Sequence, residues 1–259
     1  MQQLRLFFIA LQFFTRLPIP RWVGFQPEWL HPASRYFPLV GCVVAAVAAA
    51  VYALAALVLP APVAAVLSTA ASIYVTGAFH EDGFADTCDG FGGGLTRERV
   101  LEIMKDSRVG AYGAIGIVCM LGAKCTALAM LPPAGAIGAL FLAHPLSRLA
   151  AVSLIWRMDY ARAEGKSKPM AQQMRGGEFG IAAITALLPA AALAATGLLT
   201  PATALACVGA AALAAVWLAR TFHARIGGYT GDCLGAVQQL AEVAIYLVIL
   251  AGLGQGALG

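Results

Sequence analysis

Residues 37–59 read FPLVGCVVAAVAAAVYALAALVL, an uncharged run of 23 residues. A helix rising about 1.5 Å per residue needs about 20 residues to cross about 30 Å of hydrocarbon, so this run is long enough to span a bilayer. Six further stretches of the same kind lie near 62–79, 109–131, 134–156, 180–199, 202–219 and 234–253. Lipid offers backbone N–H and C=O groups no partners, so each stretch is predicted to be helical. The fold expected is all-α: a polytopic transmembrane helix bundle of about seven spans, with residues 1–259 forming one integral-membrane domain.

Composition supports the same reading. Of 259 residues, 60% are hydrophobic and 12% charged, whereas a soluble domain is about half apolar and about a quarter charged. The mean hydropathy of +0.79 excludes an ordinary soluble globule. A net charge of +4, with no run of Lys and Arg interleaved with aromatics, excludes nucleic-acid binding as the main business of the chain. Six cysteines form no C-x-x-C pair and mostly lie in apolar stretches, where a thiol acts as a small hydrophobe. They are read as neither disulfides nor a zinc site.

At the N-terminus, Arg5 precedes an apolar run of only nine residues, Leu6–Phe14, with no small-x-small cleavage site after it. Residues 1–36 are therefore expected to lie at the membrane interface, anchored by Trp22 and Trp29, rather than to form a cleaved signal. Pro60 and Pro62, Pro132 and Pro133, and Thr200-Pro201 mark three tight, uncharged turns between spans. The other connections are long and basic. Segments 1–36, 80–108, 157–179 and 220–233 carry four, four, five and two Lys or Arg respectively. All fall on one side of a seven-span topology, which the positive-inside rule assigns to the cytoplasm together with the N-terminus. Gly110, Gly113 and Gly116, and Ala45, Ala49 and Ala53, allow close helix approach and leave a homo-oligomer open.

The chemistry concentrates in His80-Glu81-Asp82-Gly83-Phe84-Ala85-Asp86-Thr87-Cys88-Asp89-Gly90, four carboxylates directly after a span. On a helix, Asp82, Asp86 and Asp89 stand at i, i+4 and i+7 and project within roughly 60° of one another. Three carboxylates on one face repel unless a cation sits among them, and hard oxygen donors favour Mg²⁺ or Mn²⁺ over zinc. Glu81 lies about 100° round the helix, as a second ligand, an orienter or a base. Lys105 and Arg108, in Met104-Lys105-Asp106-Ser107-Arg108-Val109-Gly110, are expected to bind phosphate at the membrane surface. Asp232 sits in a glycine-rich turn before Gln238, Gln239 and Glu242, which look like a cavity wall. Lys166, Lys168 and Arg175 are candidates for steering an anionic substrate. Lys124 and Arg148 are charges inside spans, and His144 is read as a satisfied core residue.

Thr15-Arg16-Leu17-Pro18, the acidic block, the Lys-Asp-Ser-Arg block and Gly228-Tyr229-Thr230-Gly231-Asp232 occur in this order over nearly the whole chain. Together they resemble the cobalamin synthase, or adenosylcobinamide-GDP ribazoletransferase, family of bacterial inner membranes. The resemblance implies a Mg²⁺-dependent phosphotransferase with its active site on the cytoplasmic face. Such an enzyme joins α-ribazole, or its 5′-phosphate, to adenosylcobinamide-GDP and releases GMP in the last assembly step of cobalamin. It further implies Asp82, Asp86 and Asp89 at the metal, Glu81, Asp82 and Asp232 as catalytic residues, and Lys105 and Arg108 on phosphate. Two other classes share parts of this pattern. A CDP-alcohol phosphotransferase of phospholipid synthesis has Arg after the alanine of its motif, where this chain has Asp86, and spaces its last acids by four. A cation-coupled transporter carries charges near mid-membrane in broken helices, whereas these acids cluster at one end.

Overall fold

The computed structural model describes residues 1–162 and 174–256. Among these the chain is helical: α1 (Gln2–Phe14), α2 (Leu30–Ala33), α3 (Phe37–Ala56), α4 (Ala61–Thr76), α5 (Phe79–Gly93), α6 (Arg97–Ile103), α7 (Ala111–Ala129), α8 (Pro133–Arg157), α9 (Gly176–Ala195), α10 (Pro201–Ile226) and α11 (Gly231–Gly256). Six helical stretches are long and apolar enough to cross a membrane; α4 and α5 qualify only as a pair, bent by 91°. Six or seven spans therefore follow, in agreement with the sequence.

Two differences from the sequence reading matter. The segment 80–108, expected as a loop, contains α5 and α6. The span expected at 62–79 stops at Thr76, because Gly77 and Ala78 both take left-handed backbone, at φ 66° and 59°. Gly77 adopts that region freely. For Ala78 it costs about 1–3 kcal/mol, a strain tolerated where the surroundings over-determine it. The turn is held from outside: Arg16 N donates to Val75 O at 2.8 Å, and the Arg16 guanidinium lies over the Tyr74 ring. The N-terminal Thr-Arg-Leu-Pro motif thus braces the bend that launches the acidic helix. α1 itself packs inward through Leu6, Ile9, Ala10 and Phe14, with Phe14 edge-on to Phe37 and stacked on His80.

Helix association here follows small residues rather than apolar faces, since lipid is as apolar as any side chain. A Cβ on Gly41 would stand 2.6 Å from the His144 carbonyl oxygen and 2.9 Å from Pro145 Cα, so glycine lets α3 lie directly on α8. The Gly113 and Gly116 face is used within the chain: added Cβ atoms there would meet Asp89 and Cys88 of α5. α8 and α11 form the most enclosed part of the bundle, and α9 the least.

Between α7, α8 and α11 lies a polar core. Lys124 Nζ stands 2.7 Å from Glu242 Oε1 and donates to Gln239 Oε1 at 2.9 Å. Tyr246 OH donates to Glu242 Oε1 at 3.1 Å, Gln238 Nε2 donates to Glu242 Oε2, and His144 Nδ1 lies 3.3 Å from that same oxygen. Gln238 also donates to Ser147 Oγ on α8. Lys124 is 2% exposed and Glu242 is fully enclosed, so neither charge has water to replace its partner.

Two outcomes test this packing in detergent-purified protein. Gly41→Leu should lower the thermal midpoint, as overpacking against a backbone costs about 1–3 kcal/mol, whereas Gly122→Leu, which meets nothing within 4 Å, should leave it unchanged; equal midpoints would refute the close α3–α8 contact. Lys124→Met should cost about 3–5 kcal/mol by stranding Glu242, and adding Glu242→Leu should restore most of the loss. A double variant as unstable as the single one would count against the pair.

Candidate active site

α5 carries the acidic block as a helix, so the i, i+4, i+7 geometry holds over Phe79–Gly93. Asp82 is exposed and Asp86 half-buried. The start of α11 crosses close to them. A Cβ on Gly83 would stand 2.9 Å from Asp232 Cα, and one on Gly235 2.9 Å from the His80 carbonyl oxygen. Two glycines, one on each helix, therefore bring Asp232 from the far end of the chain to the Asp82–Asp86 face. Asp86 feels like charge from Asp232 and Asp82 and opposite charge from Arg162.

Arg162 is the residue that sequence reasoning left among its loop charges. Its Nη2 lies 3.0 Å from Asp232 Oδ2, with 12% and 23% of the two side chains exposed. Thr230 Oγ1 donates to the same oxygen at 3.3 Å. No local pattern marks this pairing, because it depends on how the segments after α8 and α10 are laid together. Tyr160 and Tyr229 form a single parallel β-bridge; Ala161 N donates to Tyr229 O at 2.8 Å, and Tyr229 N to Asp159 O at 3.0 Å. Gly228 has no room for a Cβ, which would stand 2.3 Å from Asp159 O. Arg97 closes the clasp by donating to the carbonyls of Ile226 and Ala161 at 2.9 and 3.0 Å, and Arg225 donates to Gly94 O.

The remaining acids are turned elsewhere. Asp89 is buried and accepts from Gly110 N at 2.7 Å and Gly113 N at 2.8 Å. It thereby satisfies amides at the start of α7 that the helix cannot. Glu81, also buried, turns into the bundle. Its Oε1 accepts from Gln239 Nε2 at 2.8 Å, so it joins the Lys124–Glu242 network, and its Oε2 has no hydrogen-bond partner among the described residues. A small cavity there is lined by Thr76, His80, Glu81, Lys124, Arg148 and Gln238, among others. The expected cavity wall of Gln238, Gln239 and Glu242 is thus present, inside the bundle.

Lys105 and Arg108 stand exposed in the turn between α6 and α7. Arg108 forks onto Asp106, with Nη2 at 2.6 Å, and holds that carboxyl down at about 2. The turn is tied to the site through Asp89 and through Met104 O, 3.4 Å from Arg162 Nη2. Arg175 lies at the start of α9, its N donating to Glu178 Oε2; Lys166 and Lys168 lie outside the described residues.

Among the described residues, no three of His, Cys, Asp and Glu stand close enough to share a metal ion. By donor chemistry, however, Asp82, Asp86 and Asp232 fit a hard divalent cation. They offer only carboxylate oxygens, crowded by like charge and balanced by one guanidinium.

A family model for cobalamin-5-phosphate synthase matches residues 6–250. Relatives called adenosylcobinamide-GDP ribazoletransferase are 52% identical in Leptothrix cholodnii, 45% in Shewanella frigidimarina and 47% in Ralstonia pickettii. The alignments cover 96%, 97% and 93% of this chain and 96%, 96% and 93% of those proteins. No solved structure matches the chain. A membrane helix bundle, an acidic helix joined by a carboxylate from the last span, and similarity along almost the entire length leave one conclusion: the chain belongs to the cobalamin-5-phosphate synthase family, enzymes that complete cobalamin assembly.

Proposed function

We propose that this chain transfers the cobinamide phosphate of adenosylcobinamide-GDP to α-ribazole or α-ribazole 5′-phosphate, releasing GMP, with Mg²⁺ or Mn²⁺ at the acidic face. The observation that carries the reading is the meeting of Asp232 with Asp82 and Asp86 in a chain whose relatives bear the name of that transferase.

In this reading a ribose hydroxyl attacks the phosphorus bearing the cobinamide aminopropanol, and the GMP oxygen leaves. When bound, the cation neutralises diphosphate oxygens and the charge that develops on GMP. Asp82, Asp86 and Asp232 would hold it. Asp89, both of whose oxygens already accept backbone N–H groups, braces α7 against α5 and acts from behind that set. Lys105 and Arg108 extend from the rim toward the phosphates; Arg108 must leave Asp106 to do so. Glu81, held by Gln239 within the bundle, orients α5 rather than receiving the nucleophile's proton. That proton passes to water, which reaches the acidic face at the exposed Asp82.

The charge bias of the loops supports a cytoplasmic N-terminus and an active site on the cytoplasmic face of the inner membrane. A corrinoid needs an open approach, and Asp82 lies on the exposed side of α5.

Purified protein given adenosylcobinamide-GDP and α-ribazole 5′-phosphate should release GMP and form the joined corrinoid only when Mg²⁺ or Mn²⁺ is supplied. Release without any divalent cation would sink the metal reading, and no release from folded protein would sink the transferase reading. Asp82→Asn should reduce turnover at least about 100-fold while membrane insertion and melting stay as in the parent. Normal turnover in that variant would remove Asp82 from the site.

A further inference from the structure

We propose that Arg162 is an exchangeable counter-ion: it holds Asp232 while the site is empty of substrate and passes to the substrate's diphosphate on binding, releasing Asp232 to the metal. The inference rests on the metal-dependent transferase reading and adds a residue and an order of events to it.

Arginine carries five N–H donors on a planar fork that matches two oxygens of a phosphate. Arg162 uses few of them. Its Nη2 reaches Asp232 Oδ2 at 3.0 Å and Met104 O at 3.4 Å, while its Nε is buried with no partner among the described residues. A buried donor left unmade is costly, and the guanidinium is not saturated by the described residues. Neighbouring arginines differ. Arg97 spends Nε and Nη2 on two carbonyls of the clasp, and Arg108 forks fully onto Asp106 with 87% of its side chain exposed. Arg162 is the arginine that combines unspent donors with a position facing Asp86 and Asp232.

The backbone beneath it is fixed. Ala161 is tied on both sides, N to Tyr229 and O to Arg97, so the side chain changes partner without the clasp opening. A diphosphate carries more charge than one carboxylate and accepts both prongs of the fork, which favours the exchange. Asp232, once freed, restores the third carboxylate to the Asp82–Asp86 face. The cation and the diphosphate accordingly reinforce each other's binding, through a reciprocal coupling.

The test uses the full-length protein in detergent, with Mn²⁺ alone as a spectroscopic probe of the metal site and with steady-state kinetics at saturating Mg²⁺. Arg162→Gln should bind Mn²⁺ about tenfold tighter than the parent, because Asp232 is no longer occupied, yet raise KM for adenosylcobinamide-GDP by about tenfold or more. Arg162→Lys, which keeps the charge and loses the fork, should fall between the two on both measures. The complementary variant Asp232→Asn frees the guanidinium and should bind inorganic pyrophosphate without metal more tightly than the parent does. Unchanged or weaker Mn²⁺ binding in Arg162→Gln, with or without a lowered melting point, would overturn the exchange and leave a structural ion pair. Unchanged pyrophosphate binding in Asp232→Asn would overturn it independently. If neither parent nor variants bind Mn²⁺, the exchange falls together with the metal reading, whereas GMP release by the parent still decides the transferase reading.

Discussion

Lys124 and Glu242 put two full charges inside the bundle with almost no access to water. Separating them strands a charge in a medium that cannot solvate it, so the two helices that carry them are held in one rotational setting. A one-residue rotation of either helix, about 100°, would break the contact. The same charges fix further helices: Gln239 relays Lys124 to Glu81 on α5, and Gln238 and His144 connect Glu242 to α8. An apolar core of equal volume would hold such a bundle at least as well. What the polar core adds is register, and the register of α11 decides where its first turn, with Asp232, comes to lie.

The acidic face depends on that register in a graded way. α5 crosses the start of α11 at Gly83 and Gly235 and the start of α7 at Gly113 and Gly116. At the first crossing backbone meets backbone, and at the second the glycines make room for the Asp89 and Cys88 side chains. Along α5, successive acids consequently meet different surroundings: Glu81 enters the bundle, Asp82 stays exposed, Asp86 faces Asp232, and Asp89 serves the amides of α7. Four similar residues in one motif thereby acquire four distinct electrostatic roles. The strained Ala78 at the head of α5, braced by Arg16, sets the angle from which all four follow.

Much of this was legible beforehand, and the limits have identifiable causes. The presence of six or seven long apolar helices was readable, since crossing a bilayer demands a length and an apolarity that nothing local can disguise. Helix ends were less so: α10 runs on to Ile226, past the expected end near 219, and α4 stops at a left-handed pair, Gly77 and Ala78, a geometry of which alanine gives no hint. Grouping Asp82, Asp86 and Asp89 by helical period was sound for the helix itself, but period says nothing of the neighbours, and the free amides of Gly110 and Gly113 claim Asp89. Lys124 was legible only as a charge inside a span. Its partner on α11 lies beyond three intervening helices, α8, α9 and α10, at a distance along the chain over which no pattern is visible.

The sequence by itself determined the membrane spans, the basic bias of alternate loops, the acidic helix and the family motifs, because hydropathy, charge and helical period are properties of neighbouring residues. Only the tertiary structure decided that Asp232 meets Asp82 and Asp86, that Arg162 answers Asp232, and that Glu81 and Gln239, 158 positions apart, share a hydrogen bond. Those pairings exist because lipid and a dry interior make a buried polar group costly unless another group bonds it. Which group that is depends on the path of the whole chain.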